Sequence, residues 1–460
     1  MQKISRRGVI FGSAMLAGIT MLPMSLFAAD KTVSRPNIIL CMTDDQGWGD
    51  TGYNGHPVLR TPHLDQMAKD GIRFERFYSG APVCSPTRGS CITGRHPYRY
   101  GIKFANIGHM KKKEITLAEV LKTQGYATGH FGKWHLGTLT TKIKDANRGK
   151  LGDVRHYSPP WIHGFDECFS TESKVPTYWK DKAYEEYGTH YWTGTDKMVP
   201  ASEISGDDSK LIMNRALPFI RQATRKHMPF LTVIWFHAPH RPVVSAPPDT
   251  DGYDTNKDYY GCITAMDVQM GRLRRELKDL GIENDTMLWF CSDNGPEGNS
   301  SDSGRTKGLR GRKRSLYEGG VRVPGLLVWP KMIKNNRVVS MPCSTSDYFP
   351  TVLDALGYKL PKAQERPYDG VSLLPVIKGT MSERSRPIGF ESKGQVSLTD
   401  NRYKIYSKDR GKSYELYDLL ADQEEKINIA KQHPEIVKSM TQTLEKWRQS
   451  CRLSQSEKDY

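Results

Sequence analysis

Pro36-Asn37-Ile38-Ile39-Leu40-Cys41-Met42-Thr43-Asp44-Asp45 is the stretch from which the fold is read. Ile38 to Met42 is an unbroken apolar run, the pattern of a strand covered on both faces. Two aspartates follow at its carboxyl end, where ligands gather in open α/β sheets. Adjacent carboxylates repel unless a cation or basic group lies between them. An oxygen-liganded ion such as calcium or magnesium meets that need; a pair of exposed loop or capping aspartates is the other reading. The arrangement recurs twice. Phe230-Leu231-Thr232-Val233-Ile234-Trp235-Phe236 runs into His237-Ala238-Pro239-His240, and Thr286-Met287-Leu288-Trp289-Phe290-Cys291 runs into Ser292-Asp293-Asn294-Gly295. Asp-Asn-Gly alone reads equally as a turn. Three apolar strands, each ending in residues able to do chemistry, point instead to an α/β fold with a site along one rim of its sheet.

Between the first two of these strands lies Cys84-Ser85-Pro86-Thr87-Arg88-Gly89-Ser90-Cys91-Ile92-Thr93-Gly94. Pro86 fixes its own φ and biases Ser85 toward an extended shape. If a helix begins here, Arg88 stands one turn beyond Cys84. Its permanent charge would lower a thiol pKa or hold an oxygen substituent by hydrogen bonds. Cys84 taken alone also reads as a buried structural cysteine, or as the partner of Cys91 in a disulfide. The segment resembles the signature of the sulfatase family, Cys-x-Pro-x-Arg followed by Thr-Gly, and matches it throughout. Gly125-Tyr126-Ala127-Thr128-Gly129-His130-Phe131-Gly132-Lys133-Trp134-His135-Leu136-Gly137 resembles the family's second signature, with Phe131 where a smaller apolar residue is more usual. Lys133 and His135, two apart, would project to one face of an extended segment. One offers a fixed charge to an anion; the other moves a proton near neutral pH. Pro239-His240-Arg241-Pro242 is similar to the family's third histidine segment, which gives that role to His240 and leaves His237 a supporting candidate. Residues 309–324 resemble the last active-site segment. There the lysine five positions before Glu318-Gly319-Gly320 is Lys313, with Lys307 as the alternative because Arg312 and Arg314 blur the register.

The resemblance runs from Pro36 to the end of the chain. It implies an alkaline phosphatase-like mixed sheet sandwiched by helices, with a small C-terminal antiparallel α+β subdomain. It implies that Cys84 is converted to formylglycine by a formylglycine-generating enzyme, and that one calcium ion is held by Asp44, Asp45, Asp293, Asn294 and the modified Cys84. In the implied reaction a sulfate ester is attacked at sulfur from position 84. Lys133, Lys313 and the metal neutralise the sulfuryl oxygens, Arg88 orients the nucleophile, and His240, with Lys313, assists the departing alcohol. His135 takes a proton as sulfate leaves. Some relatives use the same modified cysteine as phosphodiesterases or phosphonate hydrolases. That chemistry, and non-catalytic binding of sulfated glycans by an unmodified Cys84, are the competing readings.

The chain divides into residues 1–29, a twin-arginine-like export signal, residues 34–384, a catalytic domain, and residues 385–460, a C-terminal subdomain. Lys3, Arg6 and Arg7 precede an uncharged stretch ending at Ala28-Ala29, the layout of a cleavable signal, with an uncleaved anchor as the alternative. An exported protein, periplasmic or secreted and without stable membrane insertion, is expected. The formal net charge of +16 suits a polyanionic partner. A generally soluble basic surface is the other reading, and with no zinc-finger spacing and no RNA-binding signature nucleic acid is disfavoured. The charge, the export signal and an aromatic insertion lean toward a sulfated polysaccharide or its oligosaccharides. The 8 cysteines include no CxxC pair, which excludes a disulfide-dense scaffold. Residues 138–205 are rich in aromatics and read as an insertion rimming the site, where a ring such as Trp179 would stack on sugar, although such rings more often pack the insertion itself. From about residue 385, short apolar runs alternate with turns and predict a small antiparallel sheet. Ile436, Val437, Met440, Leu444 and Trp447 then mark the packed stripe of a closing helix.

Overall fold

Alternation along the three long apolar strands decides the architecture. Ile38, Leu40 and Met42 enter one hydrophobic cluster, while Ile39 and Cys41 enter another. Leu231, Val233 and Trp235 side with the first cluster, and Phe230 and Ile234 with the second. A strand has two faces, and Thr232 is the one interruption in these apolar runs, so both faces must be covered. In the computed structural model, which describes residues 35–180 and 183–459, they are. Helices Cys84–Thr93, Leu117–Thr123 and Tyr348–Ala355 supply one layer; Pro62–Asp70, Asp208–Arg225 and Lys257–Asp279 supply the other. The proposed export signal lies outside the described residues. No described helix is long and apolar enough to cross a membrane.

The sheet has ten strands in the order Arg337–Val339, Ile72–Phe74, Gly325–Val328, Thr286–Ser292, Asn37–Thr43, Phe230–Trp235, Ala127–Lys133, Glu167–Thr171, Tyr191–Gly194, Lys197–Met198. The five from Thr286–Ser292 to Glu167–Thr171 are parallel. Antiparallel strands border them on both sides. Register then sets the site. Met42 pairs with Trp235 and with Cys291, and Thr43 with Ser292. Asp44-Asp45, the turn after Trp235 and Asp293-Asn294 therefore leave the sheet at one level.

Two expectations need correction. Residues 138–205 are not merely a rim, because Glu167–Thr171, Tyr191–Gly194 and Lys197–Met198 extend the main sheet. Trp179 cannot stack on sugar. It is 1% exposed, packs in the second cluster with Tyr184 and Tyr191, and donates its Nε1–H to Asp208 Oδ1 at 2.9 Å. The cysteines are all free and buried, so Cys84 and Cys91 form no disulfide.

The carboxyl-terminal part follows the predicted pattern. Ile388–Ser392, Gln395–Thr399, Tyr403–Ser407 and Glu415–Asp418 form an antiparallel meander. Helix Pro434–Gln455 lays Met440 and Leu444 on its Val396, Leu398, Ile405 and Leu416.

Candidate active site

Cys84 opens the helix Cys84–Thr93, in which every residue is buried. Pro86 lies in its first turn, where a missing N–H costs nothing. Arg88 follows one turn later and reaches the rim of the sheet. Its Nη2 donates to Asp293 Oδ2 at 2.7 Å and lies 3.2 Å from Asp44 Oδ2; its Nη1 donates to Lys133 O at 3.0 Å. Lys133 Nζ also donates to Asp44 Oδ2.

Asp45 takes a left-handed conformation, φ 65°, which aspartate tolerates better than most residues. Its N–H donates to Asp293 Oδ1 at 3.1 Å, and its own Oδ1 accepts from Asn294 Nδ2 at 2.6 Å. Lys313 Nζ lies 2.7 Å from the Asp45 carboxylate and 3.2 Å from Glu297 Oε2. His240 Nε2 is 3.6 Å from Asp45 Oδ2.

Three carboxylates thus meet three permanent cations in one buried place. Two oxygens within it, Asp44 Oδ1 and Asn294 Oδ1, have no hydrogen-bond partner among the described residues. Ligand atoms of Asp44, Cys84 and Asp293 lie within 4.8 Å of one another, as do those of Asp44, Asp45 and His240. A donor set of carboxylate and amide oxygens with unmet acceptors fits a hard divalent cation. The electrostatics agree. Burial opposes the charge on Asp44, but Lys133, His240, Arg88 and Lys313 outweigh it and hold that carboxyl well below its usual range. Asp293 is pushed up, by burial and by repulsion from Asp44. Burial also raises the Cys84 thiol, so a thiolate is not the favoured form of this side chain.

A cavity of about 420 Å³ opens above these groups, with Cys84, Lys133, His135, His240 and Lys313 on its wall. Arg88, Asp44, Asp45, Asp293 and Asn294 are buried and do not line it. The two histidines have defined tautomers. His135 Nε2 meets Asn106 Oδ1 at 2.7 Å; the amide oxygen only accepts, so Nε2 carries the proton and Nδ1, which has no partner, is the free base. Burial, with Lys133 and Arg148 nearby, holds the His135 pKa well below its ordinary value. His240 Nδ1 donates to Arg241 O at 2.6 Å, which leaves its Nε2 facing Asp45. Burial lowers it to about 4, against the pull of Asp44 and Asp45.

Some sequence readings shift. The strand ends at Lys133, and His135 has φ 57°, so the two reach one cavity through a turn rather than by alternation along an extended segment. Lys307 is not at the site: its Nζ donates to Asn54 O at 2.6 Å, and it lines a different cavity. The His237 ring is spent on Asp208 Oδ2 and Thr171 Oγ1, both at 2.8 Å; only its carbonyl helps, accepting from His240 N. Asn106 and Glu297 were missed. Asn106 sits in a loop with no periodicity to mark it. Glu297 lies three residues beyond Asn294, so its closeness in sequence to the Asp-Asn-Gly turn is its one signal.

A buried cation-ready cluster and a walled cavity at the carboxyl rim of a mixed α/β sheet define a hydrolase of the alkaline phosphatase-like class. The comparisons narrow it. The sulfatase family pattern matches residues 36–358, and a pattern described as N-sulphoglucosamine sulphohydrolase, C-terminal, matches residues 311–450. The N-acetylgalactosamine-6-sulfatase of Mus musculus is 32% identical over 404 residues, covering 81% of this chain and 72% of the relative. The crystal structure of Ps i-CgsB in complex with k-i-k-neocarrahexaose is 27% identical, with TM-score 0.79, covering 90% of this chain and 93% of that one. The phosphonate monoester hydrolase of Agrobacterium radiobacter shares the fold, at 20% identity and TM-score 0.65 over 91% of this chain and 96% of its own. The chain belongs to the sulfatase family, in its formylglycine-dependent type I class, and is a sulfuric ester hydrolase.

Proposed function

We propose that the protein removes sulfate from sulfated carbohydrates, with formylglycine derived from Cys84 as the nucleophile and one calcium ion beside it. The observation that carries this reading is the pair of unpartnered oxygens, Asp44 Oδ1 and Asn294 Oδ1, in the cluster that also includes Cys84. A buried acceptor left unmet costs about 1–3 kcal/mol, a penalty that a hard cation relieves. Asp44, Asp45, Asp293, Asn294 and residue 84 would hold the ion. When present, the hydrated aldehyde and the ion together supply an oxygen nucleophile and withdraw charge from the sulfuryl oxygens.

The chain's own residues do the rest. Arg88 fixes the start of the Cys84 helix against Asp293 and offsets the carboxylate charge. Lys133 and Lys313 put permanent charge on the wall where the sulfuryl oxygens bind. Asp45 raises the Lys313 pKa despite burial, so Lys313 stays charged. His240 presents Nε2 to the departing oxygen; an anionic ester raises its proton affinity and lets it deliver a proton there. His135 offers Nδ1 as the base that takes a proton as sulfate leaves. Asn106, hydrogen-bonded to the opposite nitrogen, sets that tautomer.

The carbohydrate assignment draws on what the similar proteins are named for and complexed with, and on the net charge of +16. The modification needs a formylglycine-generating enzyme in the producing cell, and residues 1–29 would export the product to the periplasm or beyond. A turnover screen over defined sulfated sugars, run beside an aryl phosphodiester, tests the reading. Sulfate release in clear excess over phosphodiester cleavage is expected. The reverse preference would move the protein toward phosphodiester or phosphonate hydrolysis; it shares its fold with a phosphonate monoester hydrolase.

A further inference from the structure

Residues 297–314 contribute to two cavities. Glu297, Lys313 and Arg314 line the one containing Cys84; residues 300–308 and Arg312 line a second, polar one of about 440 Å³. Consecutive residues, Arg312 and Lys313, therefore serve different cavities. Arg312 fixes the partition, donating from Nη1 to Gly304 O at 2.7 Å and from Nη2 to Glu297 O at 2.8 Å. The partition is bridged by an ion pair, Arg241 on the catalytic side with Asp302 on the other.

The second cavity has the chemistry of an anion site. Arg305, Lys307 and Arg312 line it, and Asp302, the one carboxylate on its wall among the described residues, is already taken by Arg241. The Arg305 backbone is fixed, its N–H on Asp50 Oδ1 at 2.9 Å and its carbonyl accepting from Gly49 N at 2.9 Å. The residue is exposed, and its guanidinium has no carboxylate partner among the described residues. His56 adds a buried donor. Its Nδ1 accepts from Leu59 N at 2.8 Å and Val58 N at 3.2 Å, which places the ring proton on Nε2. The residue is 8% exposed, and that Nε2–H has no partner among the described residues. The wall's one tyrosine, Tyr260, is buried, so charge rather than stacking is what this cavity offers.

We propose that the second cavity binds a sulfate or carboxylate on a neighbouring sugar while the reacting sulfate ester occupies the Cys84 cavity. The protein thus acts on oligomeric, multiply anionic chains. This rests on the carbohydrate sulfatase reading and adds a specificity site to it.

Size-defined dextran sulfate hexasaccharide, used as a competitor of 4-nitrophenyl sulfate turnover, tests it. Arg305→Ser removes the free charge. His56→Asn keeps an acceptor for the Leu59 and Val58 amides and deletes the Nε2–H. Each should raise the ratio of the hexasaccharide's Ki to the aryl ester's KM by about tenfold, the loss of one charge-assisted contact. Lys278→Ser, an equal charge loss at an exposed site elsewhere, should leave that ratio unchanged. An unchanged ratio in both variants, or an equal rise in the Lys278 control, overturns the proposal. If the wild-type protein fails to turn over the aryl ester, the sulfatase reading is what fails. Calorimetric titration of the hexasaccharide into the full chain then still decides the second cavity: a Kd weakened about tenfold by Arg305→Ser supports it, and an unchanged Kd sinks it.

Discussion

Two of the buried charge clusters among the described residues are built on opposite plans. At the rim of the large sheet, Asp44, Asp45 and Asp293 meet Arg88, Lys133 and Lys313, and two acceptor oxygens remain unmet. Where the small sheet meets the segment after Lys313, Lys404 Nζ lies 2.9 Å from Glu318 Oε1 and 2.9 Å from Glu425 Oε1. Glu318 Oε2 accepts from Tyr78 O–H at 2.9 Å, and Glu425 Oε2 accepts from Glu318 N at 2.7 Å. The second cluster has its central cation built in as a side chain: even Glu425 Oε1, which accepts no hydrogen bond, stands 2.9 Å from Lys404 Nζ. It lines none of the cavities described above. The first opens beside a cavity and keeps acceptors that only something from outside can satisfy. A buried network with a permanent cation at its centre fixes structure; one left incomplete is suited to binding. The two are joined in sequence. A Cβ at Gly319 would come within 2.2 Å of Gly311 O, so the chain carrying Lys313 folds tightly onto the segment that Glu318 anchors.

The contrast can be broken at either end. Cys84→Ala should cut sulfate ester turnover by at least about 10⁴-fold, as loss of a nucleophile does elsewhere. The midpoint of urea unfolding should stay in place, because the small side chain leaves the surrounding charges paired. Lys404→Met should do the opposite. It strands Glu318 and Glu425 and should cost about 3–5 kcal/mol of stability, read from denaturant unfolding, while calcium still binds. Calcium at about 100 times its Kd should stabilise the wild-type protein by about 2.7 kcal/mol. Asn294→Ala should weaken that effect, and a calcium-induced rise in melting temperature that survives in Asn294→Ala would count against the assigned ligands.

A smaller effect concerns a different carboxylate, Asp369, which pairs with Arg99 and accepts from Trp447 Nε1 of the closing helix. Burial raises its pKa, but Arg99 and His96 outweigh that and hold it at about 2. The folded value lies below the unfolded one, so the stabilisation is complete above about pH 4 and disappears as pH falls through about 2, a loss of about 2 kcal/mol. Trp447 fluorescence during acid titration measures it. Asp369→Asn should flatten that part of the curve.

Much of this was legible in the sequence, for a physical reason. A strand covered on both faces is apolar along nearly its whole length, so Ile38–Met42, Phe230–Phe236 and Thr286–Cys291 stand out together with the polar residues that leave them at the rim. Cys84, Lys133, His135, His240 and Lys313 were found through motifs, and they share one cavity. What was not legible depends on contacts between distant segments. Asn106 meets His135 from a loop without pattern. Residues 138–205 read as a rim because their periodicity is weak and their aromatics many; Tyr191–Gly194 and Lys197–Met198, which continue the main sheet there, have only four and two residues. Arg305 and His56 come together from positions far apart in the chain, and no spacing links them.

The account's central claim is that position 84 works as an oxidised residue next to cation-ready oxygens, and mass spectrometry of the peptide containing Cys84 tests it most directly. Protein that is active on sulfate esters, made beside a formylglycine-generating enzyme, should carry an aldehyde there that reacts with a hydrazide probe. An intact thiol at position 84 throughout a fully active preparation would contradict the account.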